Sequence, residues 1–213
     1  MERATYLSWA GFLLAMWGDL FMSLTLPSKY PGYSILKDSI SALGNPNSPV
    51  RKIFNLWMLA EGVFFIMVLP FFHMRYHEVS EGLTWTTIAF IIVFAVGACI
   101  FTCFFSVNES KGVVTKASKI HAAGSITGFM LFLFVPLLIA LLSFKNNEPG
   151  VGGFSIFCFV MSMIMFILFV ISDKPFFKNT FFENEGLWQR LNLVFMYLPL
   201  TVVAIKRMAE VYS

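Results

Sequence analysis

Residues 7–26 read LSWAGFLLAMWGDLFMSLTL, and residues 53–72 read IFNLWMLAEGVFFIMVLPFF. Each run has the ~20 residues that a helix needs to cross a bilayer. Each also holds one acid, Asp19 in the first and Glu61 in the second. A carboxylate at bilayer depth costs roughly 2.5 kcal/mol or more, so it is shielded, paired or functional. The two runs therefore predict an all-α, membrane-spanning protein whose acids turn inward.

Working outward, four further apolar runs of spanning length follow at 83–105, 121–144, 152–172 and 187–205. The predicted fold is a polytopic bundle of six transmembrane helices, a single membrane domain over 1–213. Composition agrees, since 58% of the 213 residues are hydrophobic and 13% charged, against about 25% charged in a soluble domain. The first run is expected to stay as a helix and not to be cleaved, because a signal peptide's apolar core is only about 7–15 residues long. Pro70, Pro136 and Pro199 fall inside spans and are expected to kink them. Trp85 and Trp188 sit at span edges, where interfacial aromatics collect. Cys99, Cys103 and Cys158 all lie in apolar runs and read as small packing residues, with no disulfide framework implied.

The connections alternate in length. Loops 27–52, 106–120 and 173–186 are long and emerge on one side, with both termini on the other. Of the 15 Lys and Arg residues, Lys29, Lys37, Arg51, Lys52, Lys111, Lys116, Lys119, Lys174, Lys178 and Arg190 belong to the long-loop side. Arg3, Arg75, Lys145, Lys206 and Arg207 belong to the other, so positive charge places the long loops in the cytoplasm.

The membrane-embedded polar groups gather toward the long loops. At about 1.5 Å per residue, Asp19 lies about 10 Å and Glu61 about 12 Å from that end. His121 opens the fourth run there, Asp173 closes the fifth, and Glu185, Gln189, Arg190 and Asn192 surround the start of the sixth. Gly11, Ala15, Gly18 and Met22 flank Asp19 as a small-residue stripe, and His121, Gly124, Ser125 and Gly128 share one helix face. Such faces let helices approach closely.

The first loop contains Tyr30-Pro-Gly-Tyr-Ser-Ile-Leu-Lys-Asp-Ser-Ile-Ser-Ala-Leu-Gly44. Ser34 as N-cap and Gly44 as stop predict a short interfacial helix, with Ile35, Leu36, Ile40 and Leu43 against the membrane and the helix covering the mouth of the bundle. Asn45-Pro-Asn-Ser-Pro49 then turns the chain into the second span.

Pro31-Gly-Tyr-Ser34, Asp38-Ser-Ile-Ser-Ala-Leu-Gly44, Pro49 and Phe54-Asn55 together resemble the first-loop signature of the domain of unknown function 998 family. Lys119-Ile-His121-Ala-Ala-Gly124 is similar to that family's His-led fourth span, and Gly186-Leu-Trp-Gln189-Arg190-Leu191 to the start of its sixth. The resemblance covers essentially the whole chain; a more distant one reaches the DRAM, Frag and Sfk group of six-span proteins. It implies a multi-pass protein of a bacterial or archaeal cell membrane, with no assigned activity. Where the family often has a Pro-Cys-Asp-like element after the third span, this chain has Phe105-Ser-Val-Asn108-Glu109, so no role is carried over from that element.

Sharper motifs fail. His73 and His77 stand i, i+4 beside Glu78, a spacing that suits zinc, but a span of ~30 Å separates them from His121, and they read as an interfacial pair with no metal site. The Asn108-Glu-Ser110 sequon lies too close to a span to count. No phosphate loop, nucleophile elbow or dinucleotide fingerprint is present, so no cofactor is named, and no nucleic-acid partner is expected. The candidate ligand-binding set is Asp19, Asp38, Ser39, Ser41, Asn55, Glu61, His121, Ser125, Glu185, Gln189 and Arg190. It suits a polar intramembrane cleft that binds a membrane lipid or small amphiphile. Two alternatives stand beside it: a membrane-embedded hydrolase or transferase using His121 with an acid such as Asp38 or Glu61, and a small carrier in which Asp19 and Glu61 relay protons. Asp38 or Ser39 is expected to approach His121 or Arg190, closing a pocket roofed by the first loop and floored by Glu61, with charge pairing between Asp38 and Arg190 to hold the loop in place.

Overall fold

The computed structural model describes residues 2–108 and 114–210; Glu109, Ser110 of the sequon and Lys111 lie outside them. Six helices are long and apolar enough to cross a membrane: α1 (Glu2–Lys29), α2 (Arg51–Tyr76), α3 (Glu81–Phe104), α4 (Lys116–Lys145), α5 (Pro149–Ser172) and α6 (Glu185–Glu210). The described residues contain no strand. Local chemistry sets several starts. α4 opens on a capping box, in which the Thr115 hydroxyl accepts from the Ser118 N–H (3.1 Å) and Ser118 Oγ from the Thr115 N–H (2.9 Å). α5 opens on Pro149, whose missing N–H costs nothing in a first turn.

Charges mark the two ends of the bundle. Glu148, between α4 and α5, takes Lys206 (3.0 Å) and Arg207 (3.4 Å) of α6 and lies 3.9 Å from Arg75 of α2. At the other end Lys37 of the first loop pairs with Glu183 of the fifth, and Arg51 donates to Ser106 of the third (3.2 Å). The long loops therefore share one end. The Lys37 ammonium and the Asn179 N–H together hold the Glu183 carboxyl below the usual carboxylate range.

Aromatic rings form the centre of the core. Phe65 of α2 meets Phe12 of α1 (5.1 Å), Phe94 of α3 (5.4 Å), Phe132 of α4 (5.8 Å) and Tyr197 of α6 (6.2 Å). Mixed T-shaped and tilted pairs of this kind add to simple area burial. α5 stands at the periphery, with 22% of its most apolar window buried against 50% for α3 and α6.

Several expectations are corrected here. The first loop forms no helix from Ser34. Asp38 Oδ2 accepts from the Ser34 N–H (2.7 Å) and closes a turn, because an Asp side chain competes with the backbone for helical donors. One 3-10 helix, Ile40–Gly44, follows, and its Ile40 and Leu43 are buried in the core and not laid on the membrane. Pro70 and Pro136 do interrupt helices, α2 at Val68 and α4 at Leu133 and Phe134, whereas Pro199 sits within continuous α6. Trp85 is exposed, but Trp188 is buried beneath Phe181 and donates to the Phe182 carbonyl (3.1 Å).

α3 contains a π-helical stretch, Ala95–Ile100, of a kind that often marks functional sites. There the backbones of α3 and α4 touch: a Cβ added at Gly97 meets the Gly124 carbonyl at 2.5 Å, and one at Gly124 meets the Gly97 carbonyl at 2.7 Å. Gly97→Ala must push the helices apart and should lower stability by about 1–3 kcal/mol, the usual cost of overpacking. Gly153→Ala, where a Cβ meets nothing, should not. Thermal unfolding of both variants in detergent checks this, and equal melting temperatures would refute the contact.

Candidate functional site

The two intramembrane acids share one phenol. Tyr197 lies 3.0 Å from Asp19 Oδ2 and 3.4 Å from Glu61 Oε1, so one residue of α6 joins α1 to α2. Glu61 is wholly buried, and its Oε2 has no hydrogen-bond partner. The prediction that both acids face the interior holds, but Tyr197 escaped the sequence reading. A signal existed, since at about 1.5 Å per residue Tyr197 lies about 15 Å into the sixth run, close to the depth of both acids, and a buried Tyr hydroxyl needs a partner.

Arg190, also buried, organises the loop above them. Its Nη1 donates to the carbonyls of Ile35 (2.8 Å), Asp38 (3.3 Å) and Gly186 (2.8 Å), and its Nη2 to the Ser23 carbonyl (3.0 Å) and the Tyr33 hydroxyl (2.9 Å). One guanidinium thus ties the end of α1 and the first loop to α6. The expected charge pair with Asp38 does not form. The Asp38 carboxylate is engaged by Ser34, and Arg190 meets the carbonyl of Asp38 instead, because its fork fits several acceptors at once. Burial raises the Tyr33 pKa above its ordinary value near 10 despite the opposing pull of Arg190. The protonated phenol donates to the Ser39 carbonyl (2.9 Å) while accepting from Arg190. Gly186 is required for this approach, since a Cβ there would meet the Asp38 carbonyl at 2.3 Å and the Ile35 carbonyl at 2.5 Å. Beside it, Gln189 Oε1 accepts from the Ile40 N–H (2.7 Å).

His121 begins the membrane-embedded part of α4. Its Nδ1 faces the Phe105 carbonyl at 3.0 Å, which assigns the proton to that nitrogen and leaves Nε2 as an acceptor, 3.4 Å from Ser125 Oγ. Its ring bonds go to Phe105, Thr102 and Ser125, none of them an acid.

These groups enclose a cavity of about 610 Å³. Asp19, Ser39, Ser41, Glu61, Thr102, His121, Ser125, Glu185 and Gln189 give it a polar region, and Phe54, Met58, Phe94, Phe129, Phe166 and Phe169 an apolar one. The 3-10 turn of the first loop roofs it through Ile40 and Ser41. Of the candidate residues, Asp38, Asn55 and Arg190 do not line it. Asp38 turns into a neighbouring loop-side cavity of about 560 Å³, which shares Ser39, His121 and Glu185 with the first. Asn55 donates to the Cys103 carbonyl (3.0 Å) as a packing contact, and Asp173 is exposed on the surface.

The cavity is open on one flank. The second half of α4, Val135–Lys145, packs along α5, whereas the first half, Lys116–Phe132, scarcely touches it. Ile126 and Met130 of α4 and Val170 of α5 line the cavity and are also exposed on the outer surface, at 63%, 42% and 47%. The break in α4 ahead of Pro136 allows the two halves to differ in this way. The gap lies in the half of the membrane nearer the long loops. Among the described residues, no group of three or more His, Cys, Asp or Glu stands together that would hold a metal ion.

Residues 9–206 match the family described as "Protein of unknown function (DUF998)", and the chain belongs to that family. No curated protein and no solved structure matches it.

Arg190→Ala should free the first loop. Amide exchange over residues 35–44 should lose roughly 2 kcal/mol of protection, since bonds to a charged donor are worth about 1.5–3 kcal/mol. Arg190→Lys should not restore it, because an ammonium lacks the planar fork. Unchanged protection in Arg190→Ala would refute the clamp.

Proposed function

We propose that this member of a family of unknown function binds a membrane lipid or small amphiphile. The headgroup sits in the polar region beside Glu61 and His121, and the tail leaves between α4 and α5. The observation that carries this reading is the cavity itself. Its polar region lies under the first loop, with Asp19, Glu61, Thr102, His121 and Gln189 buried, and its apolar region reaches residues exposed on the flank that acyl chains would contact. Binding cavities of about 300–1,000 Å³ suit ligands of that size. The ring bonds of His121, to Phe105, Thr102 and Ser125, favour binding over acid–imidazole catalysis, because none of these three partners is a carboxylate. The cell membrane is the expected site of action, with the long loops cytoplasmic by their excess of Lys and Arg.

Mass spectrometry of lipids retained through purification in mild detergent tests this. The wild-type protein and His73→Ala, altered at the far end, should keep the same lipid in near-stoichiometric amount. Ser125→Trp, which fills the cavity, should lose most of it while still unfolding cooperatively. Retention that is equal in all three proteins, or no higher than that of an unrelated membrane protein, would overturn the proposal.

A further inference from the structure

The cavity also has a sign. Its acidic lining groups are Asp19, Glu61 and Glu185, and no Lys or Arg lines it among the described residues. The nearby cations are committed elsewhere: Arg190 to loop carbonyls and Tyr33, and Lys37 to Glu183, while Lys119 lines only the loop-side cavity. Glu61 is fully buried beside the Cys99 thiol, and its Oε2 receives no hydrogen bond from an N–H or O–H group. His121 contributes a second acceptor, because the Phe105 carbonyl fixes its proton on Nδ1. Phe94 and Phe129 supply aromatic faces, which attract cations.

From this arrangement we infer that the headgroup held here is an ammonium bearing N–H donors, with Glu61 Oε2 as its principal acceptor. The inference rests on the cavity binding an amphiphile at all. Such a headgroup donates a charge-assisted bond to the unpartnered oxygen. It also sits among acids that would repel a phosphate, so attraction and exclusion favour the same class of ligand. A neutral polyol gains the hydrogen bond but not the charge pairing.

The test uses the full chain in nanodiscs and three probes with identical long alkyl chains, carrying an ammonium, a phosphate or a glyceryl ether headgroup. The wild-type protein should bind the alkylammonium at least about tenfold more tightly than either of the others. In Glu61→Gln that margin should shrink to within about threefold, and in His73→Ala it should persist. Equal or tighter binding of the alkyl phosphate, or of the glyceryl ether, would overturn the headgroup assignment and leave the amphiphile reading standing. A margin that survives in Glu61→Gln would overturn the role of Glu61. Failure of all three probes to bind saturably would overturn both readings. The wild-type ranking decides the headgroup class even if Glu61→Gln does not fold.

Discussion

A carboxyl group cannot be left against acyl chains without a cost of several kcal/mol, and this bundle places two of them within reach of one phenol. Asp19 on α1 and Glu61 on α2 converge on Tyr197 of α6, so three helices are held by groups that have no acceptable place outside. Their meeting point lies just beneath the Phe65-centred aromatic core that fills the middle of the molecule. What the acids displace is apolar packing in the half of the membrane nearer the long loops. A cavity remains there, and it inherits their character.

Two consequences follow from the way the bundle is closed. Over the cavity the first loop is fixed by Arg190, which satisfies backbone carbonyls that a short non-helical segment would leave without partners. The roof is therefore held by a cation that is itself consumed in holding it, and the chamber below stays acidic. On the flank, α5 packs along α6 and the far half of α4 but leaves the near half of α4 exposed. A chamber roofed by an ordered loop and reaching residues exposed on the α4–α5 flank suits a ligand that arrives from the membrane.

Much of this was legible in the sequence because depth along a helix can be counted. Asp19 and Glu61 fell at similar heights by that count, with His121 and Gln189 nearer the same end, and the structure places all four on one cavity. The small-residue stripe around Gly124 likewise corresponds to a real backbone contact with Gly97. What escaped depends on direction and competition. Asp38 and Arg190 are close, yet the carboxylate prefers the nearer Ser34 N–H and the guanidinium prefers carbonyls. Trp188 looked interfacial because its position on the chain is terminal, but the Phe181 and Phe182 turn folds over it. The gap between α4 and α5 left one local trace, Pro136, which marks the break in α4 but not the direction in which its two halves part.

The central claim is that an amphiphile's tail runs from the buried acids out between α4 and α5. Photo-crosslinking with a long-chain amphiphile carrying a diazirine midway along its tail tests this most directly, followed by peptide mapping with and without excess unlabelled competitor. Competable adducts should fall on Phe129, Met130, Phe166 and Phe169, which line the cavity toward the gap. Adducts confined to outward-facing residues such as Leu14 and Phe21 of α1, and insensitive to competitor, would contradict it.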